Sequence, residues 1–271
     1  MRRRDGSAGD ADYGSIGRGY SAYRQPDPRI FGHIVRALGN AQTVLNVGAG
    51  AGSYEPLDRD VTAVEPSASM RAQRPPHLSV AIDAVAEQLP FVDHQFDASM
   101  ATFTIHQWTD CDRGLAEMRR VTAGPVVILT CDPALVQRFW LNNYAPEVLA
   151  TEARRYPPLE RVRAQLGSAT ETRGVPIPLD CLDGFNEAYY GRPEWLLDEG
   201  ARVACSAWSF VAPDTCCDYI DHLRRDLQDG RWDAQHAPLR TLPEYDGSLR
   251  LVVATQSRAR SDPLPSQRSD V

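Results

Sequence analysis

The chain has 271 residues, 42% of them hydrophobic and 24% charged, with a formal net charge of −7. That length suits one large domain with an insertion. The acidic balance counts against a nucleic-acid partner, which a basic field would announce, and no apolar run reaches the roughly 18 residues of a membrane span. All 29 lysine-plus-arginine positions are arginine, which excludes lysine Schiff bases and the P-loop lysine.

Residues 1–12 are polar and Gly/Ser-rich, and 257–271 (SRARSDPLPSQRSDV) read alike; both are expected to be disordered arms. The basic start carries no apolar stretch behind it, so a secretory signal is not expected and a cytoplasmic location is. Asp27-Pro28 opens a helix with an apolar stripe at Ile30, Ile34, Val35 and Leu38, closed by Gly39. A buried strand follows over 43–47, then Gly48-Ala49-Gly50-Ala51-Gly52, then a strand over 61–64 ending at Glu65. Ser67 starts a short helix, and a third strand is expected near 78–82. A strand at 96–103, a helix at 110–121 and a strand at 125–130 continue the alternation, which is the pattern of a parallel sheet with helices on both faces. Beyond it, 133–170 read as helical, 172–179 as a strand, 181–235 as mainly helical, and 249–254 as a last strand. The cysteines Cys111, Cys131, Cys181, Cys205, Cys216 and Cys217 form no C-x-x-C pair, so free thiols and no metal site are expected.

The glycine turn carries most information. Glycines let the chain turn sharply and come close to a ligand, and the chain beyond offers free N–H groups. The spacing at 48, 50 and 52 is G-x-G-x-G, with Ser53 where a dinucleotide fingerprint needs its third glycine. Glu65, at the end of the next strand, is placed to accept both hydroxyls of a ribose.

Four blocks together resemble the class I S-adenosylmethionine-dependent methyltransferases, specifically the type 11 small-molecule group. They are LNVGAGAGSYE (45–55), AVEPSASM (63–70), AEQLPFVDHQFDASMATFTIHQW (86–108) and GLAEMRRVTAGPVVILT (114–130). The stretch 181–195 resembles an actinobacterial branch of that group. The resemblance implies a Rossmann-like α/β fold with a mainly parallel seven-stranded sheet, helices on both faces and a helical cap. One domain over 13–256 is implied: a lid at 13–29, a cofactor core at 30–132, a cap with one strand at 133–247 and a last strand at 248–256.

The implied cofactor is S-adenosyl-L-methionine. Asn46, Gly48, Ala49, Gly50 and Gly52 would meet its methionine and ribose portions, and Glu65 its ribose. Pro66, Met70, Ala86 and Glu87 would surround the adenine, and Thr102 and Phe103 would lie near the sulfonium. The group usually has an acid where Asn46 stands and an aspartate where Val85 stands. The lid would bring Tyr20 and Arg24 to the methionine carboxylate. Tyr13, Tyr23, Trp108, Phe139, Trp140, Tyr144, Phe185, Tyr189 and Tyr190 are expected to line an acceptor pocket. His106, beyond the carboxyl end of a strand, is the candidate general base. The expected reaction is O-, N- or C-methylation of a small aromatic or isoprenoid acceptor of the kind met in secondary metabolism, by a protein for which a homo-oligomer is one expected state. A non-catalytic adenosylmethionine-binding or partner module and a nicotinamide-dependent oxidoreductase remain as alternatives.

Overall fold

A computed structural model describes residues 20–255 of the chain. The expected disordered arms, Tyr13 and the first part of the expected lid lie outside them. The chain begins with the single turn α1 (Tyr20–Tyr23) and the helix α2 (Pro28–Leu38). The Asp27 carboxylate accepts from Arg29 N at 2.9 Å, Pro28 occupies the first turn, and Gly39 at φ +60° ends the helix. Ile30, Ile34 and Leu38, four apart, form its buried stripe.

Then come β1 (Thr43–Val47), β2 (Asp60–Val64), α3 (Ala68–Arg71), β3 (Ala98–Thr102), α4 (Cys111–Val121) and β4 (Val126–Cys131). β2, β1, β3 and β4 run parallel in that spatial order; β8 (Leu249–Ala254) lies antiparallel beside β4, and β5 (Thr170–Gly174) lies antiparallel outside β8. Alternate residues feed two cores. Val44, Met100, Val127 and Leu129 pack with α2 and the second half of the chain, while Leu45, Ala101, Val126 and Ile128 pack with α4. Burial on both faces is why these strands read as apolar runs rather than alternating ones.

The sheet has six strands, not the seven expected. The segment 78–82 reaches β2 only through a bridge between Ile82 and Val64. Two prolines precede it, Ser79 Oγ rather than a strand N–H donates to Val61 O at 2.7 Å, and Arg74 takes Ser79 O. The ladder positions are filled by side chains, and Val80 faces solvent.

The second half wraps one face. α5 (Pro133–Val136), α6 (Pro146–Arg155) and α7 (Leu159–Leu166) lead to β5. β6 (Ile177–Pro178) pairs with β7 (Glu244–Tyr245) in a two-stranded sheet, and α8 (Glu199–Val203), α9 (Pro213–Gln228) and α10 (Arg231–His236) lie between. Short 3-10 turns join many of them within the stretches expected to be helical or mainly helical. Among the described residues no helix is long and apolar enough to cross a membrane, and no cluster of side chains could hold a metal ion.

Candidate active site

The first cleft opens at the carboxyl ends of β1 and β3, on either side of which the chain crosses to opposite edges of the sheet. That is where open α/β sheets take ligands. Its volume is about 800 Å³. Gly48, Gly50 and Gly52 all have positive φ, at +69°, +52° and +98°. A Cβ on Gly48 would stand 2.1 Å from Thr104 Oγ1, so the turn passes flush against β3's exit. Glu65, buried at the end of β2, accepts from Gly50 N and from Ser67 N, both at 2.8 Å. Each carboxylate oxygen thus takes one backbone donor and keeps a lone pair for another. Burial pushes the Glu65 pKa up, against those two N–H groups and the charges of Arg71 and Arg74.

Gly48, Ala49, Gly50, Glu65, Pro66 and Met70 line this cleft, as do Ala86, Glu87, Thr102 and Phe103. Trp108, expected at the acceptor, lines the same cleft; its ring packs over Gly114, where a Cβ would come within 2.5 Å. Asn46 is fully buried in β1 below the turn and donates to Glu55 Oε1 at 2.9 Å. Glu55 in turn holds Arg74 through both oxygens at 2.9 Å. Asn46 therefore braces the turn from behind. Val85, where the group usually has an acid, lines the cleft as an apolar residue beside Ala86 and Glu87.

A second, smaller chamber adjoins, and Phe103 lines both. Phe103 has φ +51°, a strained value for a bulky residue. Its ring lies 5.3 Å from Phe185 and 5.1 Å from the Arg24 guanidinium carbon. His106, in the 3-10 turn after β3, lines the chamber with Glu152, Arg155 and Tyr156 from the end of α6. Its imidazole lies 4.6 Å from the Tyr156 ring, and Nδ1 is buried without a hydrogen-bond partner. Burial, then Arg155 and Arg24, push its pKa well below the usual imidazole value, so the ring is neutral at pH 7.

Glu152 is held differently. Its Oε2 accepts from Asn186 Nδ2 at 2.6 Å, and Asn186 Oδ1 accepts from Trp208 Nε1 at 3.0 Å, which fixes the amide's orientation. Burial raises the Glu152 pKa while Asn186, Arg155 and Arg24 oppose it. Arg155 donates to Ser206 Oγ at 2.8 Å. Arg24 is paired with Asp183 at 2.5 Å, and Asp183 also accepts from Tyr54 at 3.0 Å.

Of the expected lid residues, Tyr23 and Arg24 are docked on the cap. Arg24 lines the chamber rather than the glycine cleft, and the Tyr23 hydroxyl meets Asp198 at 3.1 Å. Of Tyr20 only the backbone of α1 is described. Among the expected acceptor aromatics, Phe185 lines the chamber. Phe139, Trp140 and Tyr144 lie in the core, Trp140 donating to Tyr190 O at 2.9 Å and Tyr144 to Asp226 at 3.1 Å. Tyr189 and Tyr190 are buried there too, because the cap needs its own apolar interior. Glu152, Arg155, Tyr156 and Asn186 were not anticipated. The first three are spaced i, i+3, i+4, in line with buried Val148 and Leu149, so charges interrupting the apolar stripe of α6 were the available signal.

A family model described as a methyltransferase domain matches residues 45–128. A ubiquinone/menaquinone biosynthesis C-methyltransferase of Stenotrophomonas maltophilia is 28% identical, over 46% of this chain and 64% of that protein. A demethylmenaquinone methyltransferase of Renibacterium salmoninarum is 37% identical, over 33% of this chain and 41% of that one. These matches span less than two thirds of the curated relatives' lengths. A crystal structure of a putative methyltransferase from an antibiotic biosynthesis pathway of Anabaena variabilis is 29% identical, covers 86% of this chain and 99% of that one, and superposes with a TM-score of 0.80. Residues 45–128, which hold the glycine turn closed by Glu65 at the sheet's switch point, are thus similar to a methyltransferase domain.

Proposed function

We propose that the protein methylates a small molecule seated in the chamber behind Phe103. The observation that carries this is the shared wall: two cavities, one with a glycine-and-carboxylate cradle and one with a polar lining, meet at a single ring. The cradle fits the cofactor. Gly48 lets the turn lie flush against Thr104 at the cleft floor, Glu65 has capacity for a ribose diol, and Pro66, Met70, Val85, Ala86 and Trp108 form an apolar slot for a purine. When bound, the cofactor supplies a methyl group already activated on a sulfonium.

The chain's own residues then align and enclose the acceptor. Phe103 and Phe185 offer ring faces, Ser206 and Asn186 lie on the chamber wall, and the cap excludes water. Of the acceptor classes expected from the sequence, this wall suits a compact aromatic with polar substituents better than an isoprenoid chain. Such a wall would leave many of its polar groups unpaired against hydrocarbon.

Isothermal titration with S-adenosylhomocysteine tests the donor half. Micromolar binding is expected in the parent protein, with none for NADH. Glu65→Ala, removing two charge-assisted hydrogen bonds to a ribose, should weaken it about 100-fold or more. Unchanged affinity in the variant, or preference for NADH, would defeat the reading.

A further inference from the structure

We infer that the acceptor brings a removable proton, on a hydroxyl or an amine, and that Glu152 rather than His106 is the group that receives it. This rests on the methyltransferase reading above. Of the titratable groups lining the chamber, burial pushes the Tyr156 and Cys205 pKa values further up, which leaves His106 and Glu152 as the two bases, and their surroundings sort them. His106 makes no hydrogen bond among the described residues, and its buried Nδ1 meets no carboxylate or carbonyl. An imidazole used as a base needs such a partner on its other nitrogen to steady the cation that forms. Besides burial, the charges of Arg155 and Arg24 act on the ring, both of the wrong sign to favour its cation.

Glu152 has what His106 lacks. Trp208 orients Asn186, and Asn186 fixes Oε2, so the carboxylate is held from behind through a two-step relay. Oε1 makes no hydrogen bond among the described residues, and Glu152 lines the chamber. Around it stand Arg155 and Tyr156 from its own helix end, Arg24 beyond α1, His106 from the turn after β3, and Glu187 from the 3-10 turn Asn186–Tyr189. The arginines keep the anion available while burial keeps it basic, the balance a general base needs near neutral pH.

The step balances simply. The acceptor's oxygen or nitrogen gains the methyl carbon through its lone pair. The sulfur keeps the electron pair of the bond it loses, and the shed proton bonds to Glu152 Oε1, from which it passes to water when product leaves. An acceptor with two adjacent donors would use the second on the neutral His106 ring.

The test uses the full chain and methyl-labelled S-adenosylmethionine against a fixed panel: phenols, catechols, and primary and secondary amines. Their fully O- or N-methylated counterparts and isoprenoid alkenes complete it. Turnover is expected only for members with an O–H or N–H. Glu152→Gln should lower kcat/KM about 10²-fold or more and abolish the acid limb of its pH profile, while S-adenosylhomocysteine binding stays within twofold. His106→Gln should cost nearer tenfold, the size of one lost hydrogen bond. A readout independent of turnover is the infrared C=O band of a protonated carboxyl, absent from Glu152→Gln, which should titrate above the ordinary glutamate range in the parent protein. Turnover confined to acceptors without such a proton, none anywhere in the panel, full activity in Glu152→Gln, or a Glu152 band titrating at an ordinary value would each overturn the inference. Absence of S-adenosylhomocysteine binding in the parent protein would instead strike the methyltransferase reading beneath it.

Discussion

At the scale of single residues, Gly48 does what no other side chain can. Its φ of +69° and the 2.1 Å approach of a would-be Cβ to Thr104 Oγ1 act together. Gly48→Ala should therefore lose about 1–3 kcal/mol of stability and weaken S-adenosylhomocysteine binding at least tenfold, read by thermal melting and calorimetry. Alanine tolerated in both assays would mean that the turn can back away from β3. The glycine turn and Glu65 were legible in the sequence because their geometry is local: strand, turn and strand follow within about twenty residues. Glu152 and Asn186 were not, since they lie 34 positions apart and meet only through the cap. The setting of Arg24 was not legible for a like reason. Its partner Asp183 is 159 residues away, and that ion pair holds the side chain on the chamber wall.

Among the elements, α2 shows how much one capping side chain can hold. Asp27 is fully buried; it accepts from Arg29 N at 2.9 Å and from Leu182 N at 3.1 Å, and its carboxylate pairs with the Arg29 guanidinium at 2.7 Å. Burial pushes its pKa up, but the Arg29 side chain and the two backbone donors win, and the net shift is downward. A carboxylate with a depressed folded pKa contributes stability that is present above its unfolded value, near 3.8, and lost as pH falls below it. Asp27→Ala should cost about 2 kcal/mol or more at pH 7, measured by urea denaturation, and the gap to the parent should narrow below pH 4. The cap at Asp27, the strands of the first half and the last strand were readable, because local pattern and tertiary burial agree there. The segment 78–82 was not: its apolar letters look like a strand, but Ser79 and Arg74 occupy the ladder positions. In the cap, Trp140 and Tyr144 looked like pocket residues because aromatics suit pockets and cores equally; only the packing assigns them to the core.

Across the whole molecule, cap and sheet are fastened by a buried acid. Glu187 accepts from Ser248 N and Ser248 Oγ at the entrance to β8, at 2.8–3.0 Å. Burial, with Glu152 nearby, outweighs those donors and lifts its pKa from 4.5 to about 7. A carboxyl that holds its proton more tightly when folded stabilises the fold below its unfolded pKa, and that contribution drains away as pH rises from about 4.5 through 7. The parent protein should therefore lose stability between about pH 4.5 and 7, on the order of 3 kcal/mol from this group, read as a falling melting temperature, and Glu187→Gln should flatten the slope. An equal slope in the variant would place the titration elsewhere. A different consequence follows from Phe103. Because Phe103 lines both cavities, a donor in one and an acceptor in the other, on the reading proposed above, would share its ring. Whatever free energy the first ligand needs to settle that ring is already in place for the second, and by linkage each alters the other's affinity by the same factor. Donor and acceptor thus converse through a side chain that neither reaction partner consumes, held by its own strained backbone at the threshold between them.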